Sequence, residues 1–393
     1  MSLPVSQRVQ RVKPSPTMAV TALAAELRAQ GRDIIGLGSG EPDFDTPEHI
    51  KAAAIEAIAS GQTKYTAVDG TPELKAAIID KFERDNGLTY APDQILVSSG
   101  AKQTCFNVCA AVLNAGDEAV IPSPYWVSYP DMVKLADGEP VIVSAGLDDG
   151  FKITPRGLAA AITERTRLVF LNSPCNPTGA AYTRSELAAL GEILMQHPGI
   201  VIATDDMYEH IYWAEETFTS LVTACPGLYD QTITINGVSK CYAMTGWRIG
   251  YAGGPKSIIQ AMKKIQSQST SNACSISQAA SVAALNGNQD CVVGMTRAFK
   301  ERHDFVIGAL NDVPGFHCRE GEGTFYAFPN VAEAVEAKGL TDDSALAELL
   351  LNEAEVALVP GSAFGAPGYL RLSFACGIET LQEAIRRIRR LLG

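Results

Sequence analysis

Between residues 94 and 290, short apolar runs alternate with longer stretches of helical pattern, and no other feature of the chain restricts its fold so strongly. The apolar runs lie at 95–98, 119–121, 141–143, 168–171, 200–203, 232–235 and 249–252, with helical patterns at 101–113, 155–162, 183–196 and 255–266 between several of them. Runs this short and this uniformly apolar are strands covered on both faces. Helices spaced between such strands give a mostly parallel, helix-flanked sheet. The expected fold class is therefore α/β, with a large domain built on that sheet.

The flanks read differently. Residues 1–45 look irregular apart from a helix at about 18–30, with Pro14 and Pro16 holding the chain extended before it. Asp45-Thr46-Pro47-Glu48 starts a helix that runs through Ala59, with a proline just inside its first turn. Thr71-Pro72-Glu73 repeats the signal, and that helix stops near Gly87. After 290 a charged helix at 296–311 leads into a smaller α+β region closed by an amphipathic helix at 381–392. The expected organisation is a large domain over 46–290, with an N-terminal arm (1–45) joining 291–393 to form a small domain.

Composition removes several classes of function. With 46% apolar and 19% charged residues, the chain can bury a core and is not disordered. A net charge of −12 argues against a nucleic-acid partner, and any anion site must gather Lys or Arg locally. The nine cysteines are odd in number and show no CxxC spacing, as expected of reduced thiols in a cytoplasmic protein. The five histidines include no HExxH, so no metal is expected. The first sixteen residues lack the apolar stretch of a signal peptide, and no apolar run approaches the roughly 18 residues of a membrane span.

In parallel α/β sheets ligands gather at the carboxyl ends of the strands. The run 95–98 leads through Ser99 and Gly100 into a helix opening at Ala101, which points backbone N–H groups and a positive helix end at an anion such as phosphate. The run 168–171 leads into Asn172-Ser173-Pro174-Cys175-Asn176-Pro177-Thr178-Gly179, and 200–203 into Asp205-Asp206-Met207-Tyr208. The run 232–235 leads into Asn236-Gly237-Val238-Ser239-Lys240. One crevice thus collects an anion cradle, an amide, a carboxylate, a phenol and a lysine. Singly, each is ordinary: such a lysine is usually solvated, such an Asp usually a cap, and Asn-Pro-Thr-Gly usually a turn. Gly36-x-Gly38-x-Gly40 is no dinucleotide fingerprint, because Glu41-Pro42 prevents the helix that must follow, and no GxxxxGK[ST] occurs.

The order of these motifs carries a resemblance. Ser239-Lys240-Cys241-Tyr242-Ala243-Met244-Thr245-Gly246-Trp247-Arg248-Ile249-Gly250-Tyr251 resembles the lysine motif of class I pyridoxal-phosphate-dependent aminotransferases, which have fold type I. Gly40-Glu41-Pro42-Asp43-Phe44, Lys64-Tyr65-Thr66, Pro124-Tyr125-Trp126, Asn176-Pro177-Thr178-Gly179 and Arg371-Leu372-Ser373 fit the same family in the same order. The likeness runs from about residue 8 to the C-terminus and is greatest to the bacterial aspartate aminotransferase subgroup.

That resemblance implies pyridoxal 5′-phosphate as cofactor, with Lys240 as the catalytic amine that condenses with its aldehyde and later moves a proton. It implies Asp205 at the ring nitrogen, Asn176 and Tyr208 at the phenolic oxygen and Trp126 stacked on the ring. Ala101, Lys102, Ser239 and Arg248 are implied at the phosphate. Tyr65 is implied to reach the phosphate of a neighbouring subunit, which makes the active unit a homodimer. For the substrate it implies Arg371 on the α-carboxylate, with Gly40, Trp126 and Asn176 beside it, and Lys102 with Ser15 on a distal carboxylate. The implied reaction transfers the amino group of L-aspartate to 2-oxoglutarate, giving oxaloacetate and L-glutamate in ping-pong order. Amino acids and 2-oxo acids are then the small-molecule partners.

Prephenate as a further amino acceptor, served by Arg11, stays open, as do another amino-acid specificity and a β-eliminating lyase. Pro16, Asp206-Met207, Cys175 and Thr324 depart from the commonest family pattern.

Overall fold

All seven apolar runs enter one seven-stranded sheet in the computed structural model, which describes residues 3–393. Ahead of that sheet, Ile35–Gly36 forms a short β1. The sheet strands are β2 (Ile95–Ser98), β3 (Glu118–Ser123), β4 (Glu139–Ser144), β5 (Thr166–Asn172), β6 (Val201–Asp205), β7 (Thr232–Gly237) and β8 (Gly250–Gly253). Their spatial order is β2-β8-β7-β6-β5-β3-β4. Strands β3 to β7 pair in parallel, whereas β8 runs antiparallel to both β2 and β7. The exception has a local cause. A parallel return needs a crossover, usually a helix, and between β7 and β8 there is only the short turn Thr245–Trp247.

Alternation along each strand divides the side chains between two helical layers. Ala119, Ile121, Leu168, Phe170 and Ala203 face helices Ala101–Val112, Tyr129–Leu135 and Lys256–Ser267. Val120, Val169, Leu171 and Ile202 face the opposite way, toward Leu187, Leu190 and Leu194 of helix Arg184–Leu194. On that second side Ile95, Val97 and Tyr251 also pack against helices Glu48–Ala59, Pro72–Lys81 and Ser275–Asn286.

The remaining strands are short: β9 (Tyr326–Ala327), β10 (Val356–Ala357), β11 (Val359–Pro360) and β12 (Leu370–Ser373). β1 pairs in parallel with β10, and β11-β12-β9 form an antiparallel sheet. Helices Asp290–Asn311, Asp343–Glu353 and Ile378–Leu392 cover them through Phe299, Leu350 and Ile388, each fully buried.

The charged helix expected at 296–311 begins earlier, at Asp290. Its first turns carry Val292 and Met295 into the core, so the charge pattern marks only its later, wetter part. Helices Tyr129–Leu135 and Ser275–Asn286 have no counterpart in the sequence reading. The second of them buries Ser277, Gln278 and Ser281, so polar residues occupy the face that apolar periodicity would have marked. Among the described residues no helix is long and apolar enough to cross a membrane.

Candidate active site

The carboxyl ends of β2, β5, β6 and β7 deliver the groups that the chain order suggests. β2 ends at Ser98, and helix Ala101–Val112 opens two residues beyond Ser99. The N–H groups of Ala101 and Lys102 belong to the first turn and lie outside the helical ladder. Gly100, at φ +87°, allows the approach of Arg248, because a Cβ there would collide with the guanidinium. Gly250 does the same for β8, which presses its backbone onto Ala101 N. The result is a glycine-walled concavity with free N–H groups and one guanidinium.

Asp205 ends β6 buried on the Tyr129 side of the sheet. Tyr129 Oη donates to Asp205 Oδ2 at 2.6 Å, and Asn172 Nδ2 donates to the Asp205 carbonyl at 2.8 Å. Burial raises the Asp205 carboxyl, while the Tyr129 hydroxyl, the Met207 N–H and the charge of Lys240 pull it back in part. A cation placed against this carboxylate would complete it.

Lys240 follows the end of β7. Its Nζ donates to Gly40 O at 2.5 Å and lies 6.0 Å from the Tyr208 ring and 5.8 Å from that of Phe325. Burial lowers its pKa to about 8, helped by Arg371 and Arg248 and opposed by Glu41 and Asp205. At neutral pH about a tenth of such an amine is uncharged and nucleophilic, against well under a thousandth for a solvated lysine.

Arg371, on β12, is 2% exposed and has no acidic partner among the described residues. Its Nη1 donates to Asn176 Oδ1 at 2.9 Å and its Nη2 to Gly38 O at 2.6 Å, while Nε has no partner. The guanidinium lies 4.5 Å from the Tyr326 ring and 4.8 Å from that of Phe364. A buried cation held this way, with a donor to spare, is built to receive an anion. Tyr326 Oη meets Tyr208 Oη at 2.9 Å, and a Cβ at Gly40 would run into the same hydroxyl.

The third cation is looser. Lys102 Nζ lies 4.9 Å from the ring of Trp126, which meets Tyr129 edge-on at 5.3 Å. Burial lowers the Lys102 pKa, with the charge of Arg248 adding to it. Lys102 and Arg248 open into a cavity of roughly 560 Å³ that also meets Lys13, Ser15, Ser99 and Thr270. Ser15 is the residue before helix Pro16–Ala29, and its hydroxyl contacts Thr17 Oγ1 at 3.0 Å. Ser239 is buried beside Lys240, where its carbonyl accepts from Met244 N.

The structure thus brings Gly40, Asn176, Asp205, Tyr208, Lys240 and Arg371 into one connected set. Ala101, Lys102, Trp126 and Arg248 adjoin it. Tyr65 stands apart: it is 93% exposed and lines a separate cavity with Gln62, Lys64 and Thr71. Arg11 is also elsewhere, paired with Asp137. Sequence reasoning missed Tyr129 and Tyr326, which bond to Asp205 and Tyr208. Tyr129 lies in a helix that the sequence reading did not foresee, and Tyr326 on a two-residue strand, so neither sits at the end of a recognisable strand.

Residues 32–388 match the family described as aminotransferase class I and II. The chain is 57% identical to the aspartate/prephenate aminotransferase of Nitrosomonas europaea, and 99% of each protein is covered. Its fold matches the crystal structure of the aspartate aminotransferase from Rhizobium meliloti with a TM-score of 0.95 at 48% identity, over 100% of this chain and 99% of that one. It matches the Thermus thermophilus aspartate aminotransferase with maleate at a TM-score of 0.93 and 43% identity, over 99% of this chain and 100% of the other.

Proposed function

The chain belongs to the class I and II aminotransferases, enzymes that work with pyridoxal 5′-phosphate, and we propose that this member moves the amino group of L-aspartate to 2-oxoglutarate. The observation that carries the proposal is the pair of cations that the site presents on different walls. One is the buried Arg371, with no acidic partner among the described residues. The other is Lys102, which opens into a roomy cavity. Two cations suit a substrate with two carboxylates, and the Thermus relative was solved with maleate, a dicarboxylate.

The donor set fits the cofactor. The N–H groups of Ala101 and Lys102, with Arg248 and Ser239, would hold the phosphate. Trp126 would cover the ring, Asp205 would face its nitrogen, and Tyr208 with the free amide of Asn176 would bind its phenolic oxygen. Asp205 suits that place because its buried carboxylate, raised by burial, is held in one orientation by the Tyr129 hydroxyl. When bound, the cofactor supplies an electron-poor ring that absorbs the electron pair left when a bond to the substrate α-carbon breaks.

The protein's own groups do the rest. Arg371 grips the α-carboxylate with two parallel hydrogen bonds, and Gly40 leaves room for it at the wall. The neutral amine of Lys240 would hold the cofactor and, when free, would accept the proton from the substrate Cα. Asp205 would hold a proton on the ring nitrogen. Tyr208, steadied by Tyr326, donates to a developing negative oxygen. Lys102 and Ser15 read the distal carboxylate. A 2-oxo acid then enters the same contacts and the sequence runs backward. In this reading Tyr65 serves the site of a second copy, so the working unit is a homodimer. Residues 46–290 hold the cofactor, and 1–45 with 291–393 close over the substrate.

A second reading adds prephenate as an amino acceptor. One wall of the same cavity is apolar, formed by Phe106, Val127, Met132 and Leu135, and can take a ring. The Nitrosomonas relative bears both substrates in its name.

A half-reaction screen tests both readings. Loaded enzyme is mixed with single amino acids, and the visible absorbance of the lysine-bound cofactor is followed. Aspartate and glutamate should discharge it at least about tenfold more efficiently than alanine, the effect of one charge-assisted bond. Equal efficiencies would refute the dicarboxylate assignment. Continuous release of ammonia without any 2-oxo acid would point to the lyase. Prephenate that restores the absorbance of amine-loaded enzyme would establish the second activity.

A further inference from the structure

Behind the turn that carries Asp205 and Tyr208 lies another set of charges, which the reaction as described does not use. Asp205 ends β6 on one face of the sheet, and Asp206, the next residue, turns to the other. On that far face Lys81, only 1% exposed, is ion-paired with Glu209 and donates to Asn86 Oδ1 at 2.7 Å. Glu209 is buried too. It accepts from Asn86 Nδ2 at 2.7 Å and Asn236 Nδ2 at 2.8 Å, with His210 Nε2 at 3.3 Å. The backbone is shaped for this meeting. Helix Pro72–Lys81 widens into the π-helical turn Phe82–Asn86, which brings Lys81 and Asn86, five residues apart, onto one side. In an ordinary α-helix side chains at that spacing diverge.

Two bland explanations fall short. A metal site would use Asp85, Glu209 and His210, whose ligand atoms lie within 4.8 Å of one another. The Lys81 ammonium already sits there, paired with Glu209 and 4.0 Å from Asp85. Nor does stability alone require the pair, because well-packed apolar residues often replace a buried ion pair without loss.

Its location suggests more. Glu209 directly follows Tyr208, and its N–H closes the turn onto Asp206 O at 3.0 Å. Asn236, its other partner, stands on β7, the strand that leads into Ser239 and Lys240, and also donates to Asp206 O at 3.2 Å. Glu209 therefore ties the turn bearing Asp205 and Tyr208 to the strand end bearing Lys240, and anchors both to the 81–86 turn. Asp206 takes no part in this ion pair. Its Oδ2 has no partner, and burial, then the charge of Glu209, hold its carboxyl well above the usual range. Glu209 itself stays ionised: burial pushes its carboxyl up, but Lys81, His210 and Asn86 together outweigh that.

We propose that Lys81 and Glu209 are positioning residues for transamination, their buried pair setting how Asp205 and Tyr208 stand relative to Lys240. The claim rests on the roles given to those three residues in the preceding section.

The test compares the parent enzyme with Glu209→Gln and with the double variant Lys81→Met/Glu209→Gln, which removes both charges at nearly constant size. The cofactor dissociation constant should rise about tenfold, equivalent to about 1.4 kcal/mol. The pH midpoint of the visible band of the lysine-bound cofactor should move by at least about half a unit. The melting temperature of the double variant without cofactor should stay close to the parent's, since both charges leave together. Unchanged affinity and midpoint in a folded variant, with only the melting temperature altered, would overturn the proposal. Should the charge variants fail to fold, Asn86→Ser removes a single bond to Glu209. A rise of about threefold in the dissociation constant is then expected, and none would overturn the claim equally. Lys240→Ala, which should lose the band altogether, separates an error in the lysine assignment from an error in this one.

Discussion

Arg371 and Lys102 are both cations at the site, yet they are built in opposite ways. Arg371 is buried, fixed by Asn176 and Gly38 and sandwiched near two aromatic rings. Lys102 has a single aromatic ring beneath it, and a cavity of roughly 560 Å³ in front. In the proposed reaction the difference follows what each would read. Every amino acid presents the same α-carboxylate, so a rigid, pre-paid geometry serves all substrates. Side chains vary, so the group proposed to read them faces an open cavity and has room to move.

The largest way to break that contrast is Arg371→Ala. It should lower kcat/KM on the order of a thousandfold, from about 4 kcal/mol for one partner of a buried charge pair. The loss should be equal for aspartate and alanine, because both lose the same contact. A loss confined to aspartate would show that Arg371 reads the side chain instead. Lys102→Ala should cost aspartate roughly thirtyfold, about 2 kcal/mol for a charge-assisted bond, and alanine under about threefold. Equal losses would place Lys102 at the phosphate alone.

A smaller effect sharpens the comparison. In protein freed of cofactor, labelling of Lys240 by an amine reagent should rise about tenfold between pH 7 and 9, with a midpoint near pH 8. Arg371 is among the causes of that low value and Lys102 is not, so Arg371→Ala should move the midpoint up and Lys102→Ala should leave it. The same shift has a stability consequence. Between pH 8 and 10.5 the unfolded lysine binds a proton that the folded one has lost, so the stability of the cofactor-free protein rises with pH across that window, by up to about 3 kcal/mol. A labelling midpoint near 10.5 would mean that Lys240 is solvated.

Much of this was legible in the chain because it lies at the ends of apolar strands. Asp205, Asn176 and Lys240 each follow such a run within a few residues, and short, uniformly apolar runs between helical stretches placed the strands well. What stayed hidden was set by tertiary contact. Tyr129 and Tyr326 acquire meaning only when separate segments meet Asp205 and Tyr208. Helix Ser275–Asn286 carries buried Ser and Gln, whose partners are distant in sequence; Gln278, for example, accepts from Thr71 N. The π turn at 82–86 continues a helical pattern that looks uniform in sequence, so the meeting of Lys81 with Asn86 could not be read from spacing. Thr324 adopts φ +69°, a conformation that sequence offers no reason to expect of a β-branched residue. Its hydroxyl caps Tyr326 N at 3.2 Å in compensation.

The central claim is that one lysine, half-buried and partly neutral, carries the cofactor while Asp205 faces it from β6. Reduction of the loaded enzyme with borohydride, followed by peptide mass mapping, addresses it directly. The account predicts a single stable cofactor adduct on Lys240, absent from Lys240→Ala. An adduct on Lys102 or another lysine, or none on Lys240, would contradict it.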